Sequence, residues 1–299
     1  MNATAIIEQS WFNRFFEYGA AQALDDGVVI PPIYLSVGTE HIPPTIKEVM
    51  HTIYGFHSIL DYAIFPQHRC HSYYLSFGGS AEGLALELCG SPNGCNQGRG
   101  GSASISNQTT ARFFGHSGLL GDQVPIGVGY AHASGVTTVI VMGDAAAEED
   151  YVLGALGYAA SQNVPTIFIC EDNNLSILTE KRIRRSWSIV DVAKAFGINA
   201  VELDDEPEQI YRAFKDHAEH ARSKPFLINL KCERFLWHAG SGQDGKPSRD
   251  PLLEYTLRNG FTLEDALIQQ QQETASNIWR NVYEKCGRNY SRSNQATPD

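Results

Sequence analysis

The most orderly hydrophobic pattern in the chain lies between residues 139 and 174. Val139-Ile140-Val141-Met142 and Thr166-Ile167-Phe168-Ile169 are short apolar runs without the alternation of a half-exposed sheet, and both read as buried parallel strands. Between them Val152, Ala155, Leu156, Ala159 and Ala160 recur at helical spacing, which predicts a strand-helix-strand unit. Pro225 to Leu230 predicts a further core strand. Trp11, Phe15, Tyr18 and Ala21 fall on one face of a helix over 11–24 that stops at Asp25-Asp26-Gly27. Amphipathic helices are expected over 189–196 and 207–221, and a small-residue helix over 127–131. Thr262-Leu263-Glu264-Asp265 caps a helix running toward Trp279 and Tyr283. No repeat or linker divides the chain, so residues 1–286 are expected to form one domain, and the polar stretch 287–299 to fray.

This arrangement gives two residues a chemical meaning. Asp144 follows the first strand and Asn173 the second, so both emerge at the carboxyl edge of one sheet, where α/β proteins bind ligands. A carboxylate and an amide oxygen suit a hard cation, Mg²⁺ or Ca²⁺, rather than zinc. With so few protein ligands, Mg²⁺ needs a diphosphate to complete its shell. The same residues also suit an ordinary Asp turn and an Asn-Asn loop, and spacing alone does not separate the two readings.

Charge narrows the partners. Lys and Arg total 23 against 34 Asp and Glu, a net charge of -11, which opposes nucleic acid as a partner. The N-terminal MNATAIIEQSWFNRFF lacks the regions of a signal peptide, and no apolar run approaches the roughly 18 residues of a membrane span. A cytoplasmic protein without membrane contact is expected. The six cysteines show no metal-binding spacing and read as reduced thiols, with Cys70 and Cys170 as packing residues.

The stretch from Gly143-Asp144 to Glu171-Asp172-Asn173-Asn174 resembles the thiamine-diphosphate motif of the α subunits of 2-oxo-acid dehydrogenase E1 components. Further segments extend the resemblance over residues 10–285: Gly38-Thr39-Glu40, Arg69-Cys70-His71, the glycine run Gly94 to Ser102, Gly118 to Pro125, and Arg234 to His238. The chain departs from the family pattern at Tyr34, Thr39, His68, Ser72, Ala145 and Leu175. Without the resemblance, the glycine run is equally a flexible loop. Glu180 to Arg185 reads as a solvated basic loop, with phosphate contact a minority reading.

The resemblance implies an α/β thiamine-diphosphate-binding fold, a mainly parallel sheet flanked by helices on both faces. It implies thiamine diphosphate and Mg²⁺ as cofactors, the metal held by the side chains of Asp144 and Asn173 and the carbonyl of Leu175. His68, Arg69, Gly118, Leu120, Gly143, Ala145, Ala146 and His238 complete the implied cofactor-binding set. Within it Arg69 clamps the diphosphate, and Gly118 with the Leu120 carbonyl meets the 4′-amino group. His238 and His71 are the implied catalytic residues. His238 is expected to protonate near neutral pH beside a mobile Gly-rich loop over 239–249. The implied activity is decarboxylation of a 2-oxo acid, with acyl or hydroxyalkyl transfer to an acceptor such as a lipoyl-bearing acyltransferase. The implied assembly is an α₂β₂ heterotetramer whose E1 β-like subunit supplies the activating glutamate. A carboligase adding a two-carbon unit to a ketone or aldehyde is an alternative reading, as is a non-catalytic subunit retaining the fold.

Overall fold

The computed structural model describes residues 1–287 apart from 59, 110 and 221, so the tail expected to fray lies, from 288 onward, outside the described residues. The described residues form two compact units, one of residues 45–68 and 107–233, the other of residues 2–44, 69–106 and 234–287.

In the first unit the apolar runs become strands. In chain order these are β1 (Tyr62–Phe65), β2 (Thr137–Gly143), β3 (Thr166–Asp172), β4 (Leu175–Ser176), β5 (Thr179–Glu180), β6 (Asn199–Asp204) and β7 (Phe226–Lys231). Five of them form one parallel sheet in the order β1-β2-β3-β7-β6, while β4 and β5 pair as a separate antiparallel hairpin. β3 is buried at every residue and β2 at every residue but its last, which explains why both read as unbroken runs. On one face Ile140, Met142, Phe168 and Cys170 join a core with Val124 and Val128 of helix Gln123–Ser134 and Val152 and Leu156 of helix Asp150–Gln162. On the other, Phe226 meets Phe214 of helix Pro207–His217 at 6.0 Å, and His217 stacks on the same ring at 4.3 Å. Helices thus cover both faces, as expected. The decisive feature is register: Gly143, the last residue of β2, lies opposite Glu171 of β3, so Asp144, just past β2, comes beside Asp172, the last residue of β3 and still paired with Lys231 of β7.

The second unit is helical. The N-terminal helix spans Ala3–Asp25, starting before the stripe read from Trp11, because Ile6 and Ile7 extend its buried face and the Asn2 side chain caps it by accepting from the Ala5 N–H at 3.2 Å. It meets helix Ala266–Lys285, where the Trp279 indole donates to the Phe16 carbonyl at 2.9 Å. A Cβ on Gly19 would lie 2.2 Å from that indole, so the close approach requires glycine.

The glycine run of this unit is ordered around a buried carboxylate. Glu87, near the end of helix Ala81–Leu88, accepts backbone N–H groups from Asn96 (2.7 Å), Gly98 (2.8 Å), Gly100 (2.7 Å) and Gly101 (3.3 Å). Gly98 has φ +72°, and a Cβ there would sit 2.5 Å from the Gly90 carbonyl oxygen. The loop is therefore a cradle for an internal anion, in place of a flexible segment. Cys70 and Cys170 are buried, and burial pushes the Cys70 thiol up to about 12, so both are packing residues. No described helix is long and apolar enough to cross a membrane.

Removing the Glu87 carboxylate leaves four N–H groups without their acceptor. Glu87→Ala is expected to lower unfolding free energy in urea by about 3 kcal/mol or more. Glu82→Ala, which removes a half-exposed ion pair with Lys285, should cost less than about 1 kcal/mol.

Candidate functional site

In the first unit, the carboxyl edge of the sheet is a dense charge cluster. Asp144 is almost fully buried, and burial followed by the neighbouring Asp172 pushes its carboxyl up to about 6, against the pull of Arg184. The Arg184 guanidinium bridges Asp144 and Glu148, the latter at the end of a short 3-10 turn Ala146–Glu148. Arg185 lies 3.6 Å from the same Glu148 and stacks on Trp187 at 4.4 Å. Asp172 binds Lys181 and accepts from the Asn229 amide and the Asn174 N–H, each at 3.1 Å. Burial alone would raise the Asp172 carboxyl, but these partners hold it below the ordinary carboxylate range. The segment read as a solvated basic loop is thus the counter-charge of the carboxylate edge. Nothing local in the sequence marks this, because Arg184 meets Asp144 across 40 positions.

The other implied ligands of this unit are close in the chain. Asn173 Oδ1 accepts the Leu175 N–H at 3.0 Å, an Asx turn that starts the β4-β5 hairpin. Gly143 ends β2, and Ala145 and Ala146 lead into the 3-10 turn, with Ala146 buried. Gln67 and Glu171 form a buried hydrogen-bonded pair that the sequence reading did not single out. Gly118 has φ +99° and donates its N–H to His116 Nδ1 at 2.9 Å. His116 is buried, with its ring 6.0 Å from that of His68, and burial lowers its pKa. The Leu120 carbonyl, the implied partner of a 4′-amino group, already accepts the Tyr151 hydroxyl.

In the second unit Arg69 is buried and donates to the Leu35 carbonyl at 2.6 Å and the His238 carbonyl at 3.4 Å. His71 is wholly buried: Nδ1 meets Glu17 at 3.0 Å, and Nε2 meets the Ser102 hydroxyl at 2.9 Å. Both nitrogens are engaged inside the unit, which is a bracing position; a catalytic role would require one of them to be released. The loop expected to be mobile is closed by a Leu236-Gln243 bridge, by the Trp237 N–H on the Gly242 carbonyl at 2.7 Å, and by the Gly240 N–H on the Ile33 carbonyl at 2.9 Å. His238 sits at its base, edge-on to Tyr34 at 5.4 Å. Burial first, then Arg69 and Arg234, lower its pKa to about 4. Partial burial first, and then the two guanidinium groups, thus favour the neutral ring, against the expected protonation near neutral pH.

Oxygen donors at this edge fit a hard cation. Asp144 and Asp172 carry adjacent negative charge, and a guanidinium already stands in as a cation on Asp144. Among the described residues no three His, Cys, Asp or Glu side chains converge on one cation position.

A parallel sheet covered by helices on both faces, with carboxylates gathered at its carboxyl edge, defines an α/β protein of the doubly covered class, whose members bind ligands at that edge. The dehydrogenase E1 component family matches residues 41–269. The pyruvate dehydrogenase E1 component subunit alpha of Rickettsia prowazekii is 30% identical over 89% of this chain and 82% of its own length. That of Rhizobium meliloti is 27% identical over 87% and 78%. Transketolase from Leishmania mexicana shares the fold, with a TM-score of 0.56 at 15% identity, covering 94% of this chain and 47% of the transketolase. The chain spans about half the length of the solved transketolases it matches. The chain belongs to the dehydrogenase E1 component family, as an α-subunit-like 2-oxo-acid dehydrogenase component.

A depressed His238 pKa makes the folded chain bind fewer protons than the unfolded one between about 4 and 6.5, so this residue's contribution lowers stability as pH falls through that window. Proton NMR should show the His238 ring neutral from pH 5 to 8, and Arg69→Gln should raise its midpoint. A wild-type midpoint near 6.5 would refute the assignment.

Proposed function

We propose that this chain is the α subunit of a thiamine-diphosphate- and Mg²⁺-dependent enzyme that decarboxylates a 2-oxo acid and passes the acyl or hydroxyalkyl group to an acceptor. The observation that supports the reading is the in-register pair of strand ends, which brings Asp144 beside Asp172 with Asn173 following, a set of oxygen donors suited to a hard cation. When bound, thiamine diphosphate supplies the carbanion-stabilising ring. The residues of this chain hold and orient. Asp144, Asn173 and the Leu175 carbonyl are the proposed metal ligands, and Gly118 lies on a backbone turn open to a ring edge. In the second unit Arg69 supplies the proposed phosphate contact, and neutral His238 can accept a proton or donate one hydrogen bond at pH 7.

Dependence on a β-like partner is part of the same proposal, and the positions of three glutamates support it. Glu40 is committed to Arg14, Glu148 to Arg184 and Glu171 to Gln67. None of these three is left to polarise the cofactor, so a partner is proposed to supply that group. The α₂β₂ assembly, a lipoyl-bearing acceptor and a cytoplasmic location belong to the same proposal.

Two measurements test it. Asp144→Ala, purified with its partner, should bind thiamine diphosphate in excess Mg²⁺ at least about tenfold more weakly, about 1.4 kcal/mol; unchanged affinity by calorimetry would remove Asp144 from the site. The chain alone should release no CO₂ from any 2-oxo acid with saturating cofactor, and turnover by a partner-free preparation would contradict the split-site reading.

A further inference from the structure

The segment from Asn174 to Arg185 carries charges that the proposed chemistry does not use. It begins at Asn174 with φ +64°, forms the β4-β5 hairpin, and turns through Ile177 at φ +54°, a left-handed conformation that a β-branched residue adopts only under strain. It then enters the one-turn helix Lys181–Arg184, none of whose residues is buried. Ile177, Leu178 and Ile183 are exposed, so they do not anchor the segment in the core. Its attachment to the carboxylate edge is ionic: Lys181 on Asp172, Arg184 on Asp144 and Glu148, and Arg185 near Glu148. A cavity of about 310 Å³, bordered by Asp172, Lys181, Arg185 and Trp187, adjoins it. A segment with this hold has little apolar contact to lose on moving.

Counting charges decides what the segment does. Three carboxylates, Asp144, Glu148 and Asp172, face three cations, Lys181, Arg184 and Arg185, so the charge of these three carboxylates is already matched within the chain. A divalent cation arriving alone must share Asp144 with a guanidinium and leave uncompensated positive charge in a largely buried place, which is unfavourable. A divalent cation arriving with a diphosphate brings its own counter-charge.

We infer that Arg184 is a resident counter-cation on Asp144, which competes with the metal for that carboxylate and so makes metal uptake depend on the accompanying diphosphate. This rests on the reading of Asp144 as a metal ligand. Arg184 is a positioning residue here, acting through Asp144. Metal entry and release of Arg184 from Asp144 are one exchange of ion pairs, with no bond made or broken. The strained Ile177 turn and the adjoining cavity give the released segment a place to go.

The test uses Mn²⁺ alone, followed by calorimetry and by the electron paramagnetic resonance of free Mn²⁺, on the full chain with its partner. Arg184→Gln leaves the edge with one net negative charge and should bind Mn²⁺ at least ten times more tightly than wild type. Arg184→Lys, which keeps a cation, should resemble wild type. Asp144→Asn combined with Arg184→Gln should lose the gain, which places the ion on Asp144. Equal affinity in wild type and Arg184→Gln overturns the inference, as does a gain that survives loss of Asp144. Thiamine diphosphate titrated with Mg²⁺ separates this from the functional reading: if wild type binds the cofactor normally while Arg184→Gln shows no gain for Mn²⁺, only the role of Arg184 fails. If the variant does not fold, hydrogen exchange on wild type decides. Amides of 177–186 should exchange faster when Mg²⁺ and thiamine diphosphate are added, and unchanged exchange at saturation overturns the proposal.

Discussion

Two carboxylates on neighbouring strand ends set the terms for the first unit. Because β2 and β3 run parallel with Gly143 opposite Glu171, Asp144 and Asp172 cannot avoid each other. Burial first, and the neighbouring Asp172 second, push the Asp144 carboxyl up to about 6 even with a guanidinium in contact. Like charges placed so close in a low-dielectric setting require a cation. The basic turn at 181–185 answers that requirement from within the chain. A bound Mg²⁺ would answer it from outside, and the E1 family membership gives a reason for retaining so costly an arrangement.

The second unit solves a related problem without a metal. Arg14 is buried between Glu40 and Asp250, Glu17 accepts from Ser36 and His71, and Glu87 gathers four amides of the glycine run. The Arg14 and Glu17 networks join segments distant in sequence and Glu87 ties down the loop just after its helix, so buried polar groups here fix the path of loops more than they add net stability. The loop bearing His238 is held in the same way, by backbone hydrogen bonds and the Arg234-Asp244 pair, and this fixes the ring near Arg69 and Arg234. The consequence is chemical: partial burial, helped by the two guanidinium groups, favours the neutral ring.

Much of the sheet was legible because buried parallel strands write themselves as apolar runs. Val139 to Met142, Thr166 to Ile169 and Phe226 to Leu230 all fall inside observed strands, and Asp144 and Asn173 emerge where strand ends predict. β1 was not found, since four residues, Tyr62–Phe65, followed by Pro66 carry too little pattern. β6, Asn199–Asp204, alternates buried and exposed residues over only six positions and was missed for the same reason. What local sequence cannot show is who pairs with whom. Arg184 with Asp144, His71 with Glu17 and the Glu87 cradle are contacts no local pattern displays: the basic turn pairs with carboxylates, both His71 nitrogens have partners, and the glycine run is ordered around Glu87.

The central claim is that the edge formed by Asp144 and Asn173 takes a divalent cation together with a diphosphate cofactor. Anomalous scattering from crystals of the complex grown with Mn²⁺ and thiamine diphosphate tests it most directly. The account predicts a single strong peak bounded by the Asp144 carboxylate, the Asn173 amide oxygen and the Leu175 carbonyl, with the Arg184 guanidinium moved off Asp144. Cofactor bound with no peak at that edge, or a peak held by other residues while Arg184 stays on Asp144, would contradict it.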